Sequence, residues 1–348
     1  MVSPFKQELG TAVHVVRALR DRRRANTLTP RRGVLVALAF SVLAATSRVE
    51  AQAGAARVTA SWVLERPGPE TQVQKSIEQR GGINPCKTAD PGFGAYKRWE
   101  RTPSLGQLIQ PRKAPKSAEF DVVIHFHGHE AARKEWVQVL RNPVFVGIDL
   151  GLGSGPYEKT FAAGQVFADL LTSIEAAVAE ARGLDQAHAR FVGLSAWSAG
   201  YGALTRILAQ PLGQQRVDSV ILLDGLHSGY DRAGGTLNAQ QLAPFASFAK
   251  LSAERRRFMF VSHSSIIPPG YASTTETAAY LVASLGGVPR PSGPRASDPM
   301  GLDLIRWYVQ GNFHMRGFAG NDKMDHCAHF GVFRDVLRTH LRRRWRTR

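Results

Sequence analysis

The sequence predicts an α/β protein in which a mostly parallel, twisted sheet is covered by helices on both faces. Two observations support this fold class. Apolar runs of five to seven residues alternate with longer segments whose apolar residues recur at helical spacing, which is typical of parallel strands buried on both sides. Polar residues also follow several of these runs directly, at the edge where parallel sheets collect reactive groups.

The predicted elements follow one another in the order expected for such a sheet. Strands are predicted at 121–127, 143–149, 190–196, 217–223, 257–262 and 313–318, with shorter candidates near 61–64 and 105–109. A helical stretch ends at Leu140, and further helices are predicted at 160–182, 201–210, 274–285 and 330–341. Pro211 marks the end of the helix at 201–210 because proline rarely continues a helix.

The chain divides into three parts. Its 348 residues suit one α/β domain with appendages. Residues 1–53 are predicted to be an N-terminal extension with an export signal, and residues 54–117 an extension that leads into the first strands. Residues 118–348 are predicted to form the domain that carries the chemistry.

An export signal is indicated by three features in sequence order. Arg31 and Arg32 precede an uncharged apolar stretch of fourteen residues at 33–46, and Ala51-Gln52-Ala53 then offers a cleavage site. The apolar stretch is shorter than the ~20 residues of a membrane span. We therefore expect cleavage near Ala53, no transmembrane anchor, and a periplasmic or extracellular protein.

The chain is strongly basic, with a formal net charge of +17. The first 53 residues hold nine Lys/Arg and three Asp/Glu, which leaves +11 on the remainder. This excess favours loose association with anionic envelope surfaces. The basic and aromatic residues do not interleave into a nucleic-acid motif, and the arginine-rich tail at 338–348 is typical of a solvated helix end, so no specific nucleic-acid partner is expected.

Cys86 and Cys327 are the two cysteines of the sequence. In an oxidising compartment they can form one disulfide, which would tie the N-terminal segment to the region around His326. Two separate reduced thiols are the alternative.

The segment 193–204 has the composition of a nucleophile elbow, a sharp turn from strand to helix that leaves one serine exposed. Ser198 lies between the end of the apolar run 190–196 and a run of helix formers. The crowded turn requires small residues two before and two after the serine, and these are Ala196 and Gly200. Ala196 replaces the first glycine of the usual G-x-S-x-G pattern.

A serine nucleophile needs a base and an acid that orients the base. Asp224 ends the strand after the elbow helix, whereas the next strand ends in serines and His263 without an acid. His326 lies between the last predicted strand and the last predicted helix, and His329 is the alternative base. We expect Asp224 as the acid and prefer His326 as the base, with His263 a further candidate.

The oxyanion of such a reaction needs N–H donors. The backbone N–H of Ala199 is one candidate, and the turn at Gly128 and His129 after an early strand is expected to supply a second. A metal site is the alternative for this region, because His125, His127 and His129 alternate along one predicted strand. No carboxylate partner set accompanies them, so we expect neither a metal ion nor a cofactor.

Taken in chain order, these motifs resemble the α/β-hydrolase superfamily of serine esterases and lipases. The resemblance rests on Phe126-His127-Gly128, on Ala196-Trp197-Ser198-Ala199-Gly200, and on Asp224 and His326, and it covers roughly residues 118–345. It implies a sheet of about eight strands, a Ser198–His326–Asp224 triad, and oxyanion amides from Ala199 and the 128–129 turn. Two departures are Ala196 in place of glycine and an acid one strand earlier than usual.

The expected function is that of a secreted serine hydrolase that cleaves a carboxylic ester of a small molecule or polymer through an acyl-enzyme. An amidase or peptidase would use the same triad. A non-catalytic hydrolase-fold binding protein of the cell envelope is the alternative from another class. The loops at 151–157 and 266–272, rich in Gly or Pro, are expected to shape the pocket.

Overall fold

The structure is a computed structural model that describes residues 75–101, 104–113, 115–231, 235–292 and 300–346. The predicted export signal and the strand candidate near 61–64 lie outside these ranges. Within them, no helix is both long enough and apolar enough to cross a membrane.

One sheet of ten strands forms the centre of the described chain. The strands are β1 (Glu100–Arg101), β2 (Gln107–Ile109), β3 (Glu119–Phe126), β4 (Val144–Ile148), β5 (His188–Trp197), β6 (Val217–Leu223), β7 (Phe258–His263), β8 (Arg290–Pro291), β9 (Asp303–Gln310) and β10 (Phe313–Ala319). Their spatial order is β1-β2-β4-β3-β5-β6-β7-β10-β9-β8. The six central strands, from β4 to β10 in this order, run parallel, and the outer pairs are antiparallel.

Helices cover both faces of this sheet. They are α1 (His129–Val139), α2 (Gly155–Thr160), α3 (Gly164–Arg182), α4 (Tyr201–Ala209), α5 (Pro211–Arg216), α6 (Ala239–Ala253), α7 (Thr274–Ser284), α8 (Lys323–Val336) and α9 (Arg342–Arg346). Apolar residues of α3, α4, α6 and α7 pack on one face, and those of α1, α8 and α9 pack on the other. The prediction of a mostly parallel sheet covered on both faces, as in α/β-hydrolases, is confirmed. The strand count exceeds the expected eight because β1 and β8 are two-residue edge strands.

The central strands read as continuous apolar runs because both of their faces are covered. Every residue of β4, β6 and β7 is buried. Successive side chains of β3 point to opposite faces, so Val122 and Ile124 join one core while Val123 joins the other. This arrangement brings the carboxyl ends of the parallel strands to one edge of the sheet.

The predicted helix at 160–182 is wrong at its start. The structure has two helices there, α2 and α3, separated at residues 161–163. Phe161 is fully buried and packs edge-on against Phe126, with ring centroids 5.3 Å apart, and Ala163 has an extended backbone. The chain breaks its helix at this point because burial of the Phe161 ring outweighs continuity of the helical periodicity.

The last helix also begins earlier than predicted, at Lys323 instead of residue 330. Asp322 is its N-cap and accepts from the Asp325 N–H, while the Asp325 carboxylate accepts from the Asp322 N–H. This reciprocal pair is a capping box, with aspartate in the role usually taken by glutamate. His326 and His329 therefore both lie inside α8, three residues apart, and His326 does not lie in a loop.

The N-terminal segment is attached to this first turn of α8. The buried Arg80 guanidinium lies 2.5 Å from Asp325 Oδ1 and 3.7 Å from Asp322 Oδ1, and donates to the Met300 carbonyl. Cys86 forms a disulfide with Cys327, with Cα atoms 5.1 Å apart. An ion pair and a covalent bond thus hold the turn of α8 that carries His326.

We expect removal of this disulfide to destabilise the protein. The bond joins positions 241 residues apart, and closing so long a loop in the unfolded chain is worth about 2–5 kcal/mol. A Cys86→Ser/Cys327→Ser variant should unfold at a lower urea midpoint than the wild type. Thiol titration of the denatured protein should find no free thiol before reduction and two after it; two thiols before reduction would contradict the bond.

Candidate active site

Ser198 lies at a sharp turn between β5 and α4. A single turn of 3-10 helix, Ser198–Gly200, joins the two elements, and Ser198 has a φ of 49°, a left-handed conformation that is costly for a residue with a Cβ. A Cβ on Gly200 would lie 2.2 Å from the Phe126 carbonyl oxygen, so only glycine fits there. Ala196 is fully buried, and its methyl group is accommodated. The local geometry is therefore that of the predicted elbow.

Asp224 is the buried carboxylate of the site. It follows β6, has a φ of 44° and is 2% exposed. Its oxygens accept from the Ser264 N–H at 2.8 Å, from Thr274 Oγ1 at 2.6 Å, and from His326 Nδ1 at 2.7 Å. Burial acts to raise the pKa of Asp224. In acid, where His329 becomes protonated, its charge together with the hydrogen bond and charge of His326 holds the pKa of Asp224 well below its usual value. Asp224 is thus an ionised acceptor at neutral pH.

The turn after Asp224 touches the elbow directly. A Cβ on Gly225 would lie 2.5 Å from the Ser198 nitrogen. A larger residue would therefore push Ser198 away from Asp224 and its partners.

His326 faces Asp224 on one side and the elbow on the other. Its ring packs on the Trp197 indole with centroids 4.5 Å apart, and its carbonyl accepts from Trp197 Nε1 at 3.0 Å. The Nδ1–H donates to Asp224, which leaves Nε2 as a proton acceptor. Among the contacts of the described residues, no hydrogen bond joins Ser198 Oγ to this nitrogen. Such catalytic hydrogen bonds are often long or poorly aligned before substrate binds.

His329, the alternative base, is enclosed behind the site. Its side chain is fully buried, its Nδ1 bonds Ser262 Oγ at 2.8 Å, and its Nε2 lies 3.9 Å from Asp224 Oδ2 without a hydrogen bond. Burial lowers the pKa of His329 to about 4. The structure therefore places His329 as a neutral neighbour of Asp224, while His326, 21% exposed, has the access that a base needs.

One of the two backbone amides expected from the 128–129 turn for the oxyanion, that of Gly128, has a different role, and that of His129 stays a prediction. The Gly128 N–H donates to Asp149 Oδ1 at 2.7 Å, and the His129 ring bonds Asp149 Oδ2 at 2.5 Å. Because its hydrogen is already used, the Gly128 amide is not available to an oxyanion in this conformation. Asp149 was not predicted in this role, although it ends the predicted strand 143–149.

His127 takes the place beside the elbow instead. It has a φ of 69°, and its ring stacks on Trp197 with centroids 5.3 Å apart and an interplanar angle of 11°. Tyr157 Oη accepts from the Leu150 N–H at 3.1 Å and lies 2.9 Å from His127 Nδ1. The Leu150 N–H and His127 Nδ1 are both satisfied when the phenol donates its hydrogen to Nδ1. The ring proton of the neutral His127 is then on Nε2. Burial lowers the pKa of His127 and outweighs the opposing effect of the Asp149 charge.

The three alternating histidines do not share a face. β3 ends at Phe126, so His127 and His129 leave the strand. His125 bonds Ser195 Oγ at 2.5 Å in the core, whereas the rings of His127 and His129 contact Tyr157 and Asp149. Within the described ranges, no group of three His, Cys, Asp or Glu residues is arranged to hold a metal ion.

Ser198 opens into a cavity of about 870 Å³. Its lining comes from the elbow, from the loop before α2, from α4, from the segment after β6, and from the start of α6. The lining residues are His127, Leu152, Gly153, Ser154, Glu158, Ser198, Ala199, Tyr201, Thr205, Arg206, Ala209, His227, Ser228, Gly229, Asn238, Gln240, Gln241, Pro244 and Tyr271. Both predicted pocket loops contribute to this wall, as does α6, which the sequence analysis left unassigned.

Comparison with solved structures found similar folds at low identity, among them the two that follow. The poly(3-hydroxybutyrate) depolymerase LpqC from Bordetella parapertussis is 16% identical over 67% of this chain and 85% of its own, with a TM-score of 0.38. TT1662 from Thermus thermophilus is 16% identical over 70% of this chain and 99% of its own, with a TM-score of 0.35. No protein-family model and no curated protein matches the sequence. The fold assignment therefore rests on the strand order and layers described above.

Acid should destabilise this protein through its buried histidines. The pKa of His329 is about 4 in the folded state and about 6.5 in an unfolded chain, so the unfolded chain binds more protons as pH falls. The free energy of unfolding should then have its full value above pH 6.5. Between pH 6.5 and about 4 it should fall by on the order of 1 kcal/mol per pH unit for each such histidine.

Urea unfolding between pH 7 and pH 4 measures this slope. A His329→Gln variant should show a shallower slope than the wild type, and His188→Gln, an exposed position at the start of β5, serves as the control. Equal slopes in the wild type and His329→Gln would contradict the assignment.

Proposed function

We propose that this protein is a serine hydrolase that cleaves carboxylic esters through an acyl-enzyme. One observation carries the proposal. Four non-glycine residues of the described chain have a left-handed φ, and three of them, His127, Ser198 and Asp224, meet at one edge of the sheet. Such conformations cost about 1–3 kcal/mol each and persist where the surroundings enforce them, chiefly at functional sites.

The proposed reaction begins with proton transfer from Ser198 Oγ to His326 Nε2. The serine oxygen attacks the ester carbonyl carbon, and Asp224 stabilises the imidazolium through the 2.7 Å hydrogen bond to Nδ1. The imidazolium then gives its proton to the leaving alcohol oxygen as the ester C–O bond breaks. Water, deprotonated by His326, attacks the acyl-enzyme carbonyl, and the acid leaves as the Ser198 oxygen recovers its proton.

Two donors are available for the oxyanion. The Ala199 N–H lies in the first turn of the helix after the elbow, where no preceding turn supplies it with a carbonyl. His127 lines the same cavity as Ser198, and its Nε2–H has no partner among the described residues. A neutral imidazole held by Tyr157 is a preorganised donor of the kind that stabilises developing negative charge.

The same residues would serve an amide substrate, which differs only in its poorer leaving group. A non-catalytic binding protein would have no need of a strained serine, but Ser198 has a left-handed backbone conformation. We also propose that the chain is exported. The motif at 31–53 supports this, as does the Cys86–Cys327 disulfide, since such bonds persist in oxidising compartments.

A fluorophosphonate should modify the purified protein at Ser198 and abolish hydrolysis of p-nitrophenyl acetate. Ser198→Ala should lose both properties, and Asp224→Asn should retain labelling at a rate lower by on the order of 10⁴ because the His326 tautomer is no longer held. Ser76→Ala, an exposed serine, is the control. Mass spectrometry that finds no adduct on Ser198 in the folded protein would reject the enzyme proposal.

The His127 donor is tested by separating kcat from KM. His127→Ala should lower kcat about 10²–10³-fold with little change in KM, since an oxyanion donor acts in the transition state. His127→Gln, which keeps an N–H, should recover part of the lost kcat. Tyr157→Phe should lower kcat too, but less than His127→Ala does. A change confined to KM, or none at all, would assign His127 another role.

A further inference from the structure

Polar side chains make up most of the residues that line the cavity beside Ser198. Thirteen of its nineteen lining residues carry a hydroxyl, amide, imidazole or charged group, and the other six are Leu152 with small Gly, Ala and Pro residues. Leu152 is 89% exposed and is the one large aliphatic side chain of the lining. A bound substrate therefore meets hydrogen-bonding groups as well as apolar surface in this cavity.

The cavity extends away from the nucleophile along one face of α4. Tyr201, Thr205 and Ala209 follow one another at four-residue spacing on that helix, and all line the cavity. Eight residues of helix span about 12 Å at 1.5 Å per residue. The length and the volume of about 870 Å³ accommodate a substrate with more than one monomer unit.

The lining presents no uncompensated charge. Its two charged side chains, Arg206 and Glu158, pair at 3.1 Å, and Ser154 Oγ also donates to Glu158. Burial lowers the pKa of His227, so this imidazole is neutral. The cavity therefore selects for a neutral substrate group.

Several polar atoms of the lining have no partner among the described residues. The His227 Nδ1–H donates to the Ala272 carbonyl at 2.9 Å, which leaves its Nε2 as an acceptor toward the cavity. The Gln240 amide and the Tyr271 hydroxyl make no hydrogen bond within the described ranges, and both side chains are exposed. The lining thus offers both donors and acceptors. The hydroxyl groups of a ligand can pair with either, because each hydroxyl both donates and accepts.

Hydrogen bonds and a ring contact of neighbouring residues hold the wall that carries these atoms in place. The Asn238 side chain caps α6 by accepting from the Gln241 N–H, and Gln241 Oε1 accepts from the Gly229 N–H at 2.7 Å. The Tyr271 ring packs edge-on against His227 with centroids 5.0 Å apart. At 43% exposure, Tyr271 presents an aromatic surface at the rim of the cavity.

We propose that this cavity binds the carbohydrate part of an ester, a neutral and hydroxyl-rich chain of more than one sugar unit. Gln240, His227 and Tyr271 supply the amide, the acceptor nitrogen and the aromatic face that such a ligand needs. The inference rests on the proposed function, because it takes Ser198 as the group that attacks the ester. Binding of the saccharide itself does not require that reaction.

The first experiment measures binding without chemistry. The Ser198→Ala protein is titrated by calorimetry with xylotriose, cellotriose and maltotriose, and with octanoate as the apolar probe. At least one trisaccharide should bind, and more tightly than octanoate. Gln240→Ala and Tyr271→Ala in the same background should each weaken it by about fivefold or more, the loss expected for one hydrogen bond or one ring contact.

Each test variant has a matched control. Gln214→Ala removes an exposed glutamine from α5, and Ile267→Ala removes an exposed side chain from the loop that carries Tyr271; neither residue lines the cavity. Both controls should bind the trisaccharide as the parent does. Loss of binding in the controls as well would attribute the effect to altered folding and would overturn the subsite.

The second experiment compares kcat/KM for the acetylated trisaccharide with kcat/KM for 2-naphthyl acetate. The ratio should exceed one for the wild type and fall about fivefold or more in Gln240→Ala and Tyr271→Ala. Hydrolysis of 2-naphthyl acetate with a preference for p-nitrophenyl octanoate over the sugar ester would overturn this inference and leave the proposed function standing. Trisaccharide binding that depends on Gln240 in a protein that hydrolyses no ester would support the subsite and reject the proposed function.

Discussion

The site depends on where the first turn of α8 lies, because that turn presents His326 to Asp224. Asp325 accepts from the Asp322 N–H in the capping box and also pairs with the buried Arg80. Cys327, next to His326, is bonded to Cys86. Breaking a buried ion pair leaves an unpaired charge, which costs far more than the pair contributes. The N-terminal segment therefore belongs to the architecture of the site although it lies outside the parallel sheet.

A buried carboxylate is tolerable only when its hydrogen-bonding capacity is used. Asp224 accepts from a backbone amide, a threonine and a histidine, and the histidines around it are kept neutral by burial. Asp149 is exposed by contrast, and its two oxygens take the Gly128 N–H and the His129 ring. Asp149 thereby engages the Gly128 amide of the early turn, whereas His127, held by Tyr157, lines the same cavity as Ser198.

Much of the fold could be predicted because its signals are local. The apolar runs at β3 to β7 need cover on both faces whatever their neighbours, and the small residues around Ser198 are required by the turn itself. α6 was not predicted because it contains Pro244 and because further alanines outside its buried face obscure the apolar periodicity. The start of α8 was misplaced because its capping box uses aspartate, and the break at Phe161 because core packing overrides helical periodicity.

The sequence by itself determined the order of the six parallel strands, the serine at the elbow, and a shortlist of acids and bases, since each depends on residues close together in the chain. Only the tertiary structure decided which members of that shortlist lie together. His326 and His329 differ in their access to solvent, and Gly128 differs from His127 in whether its hydrogen is already donated. These differences arise from partners such as Asp149, Tyr157 and Arg80, which approach from distant segments, and no spacing along the chain encodes that approach.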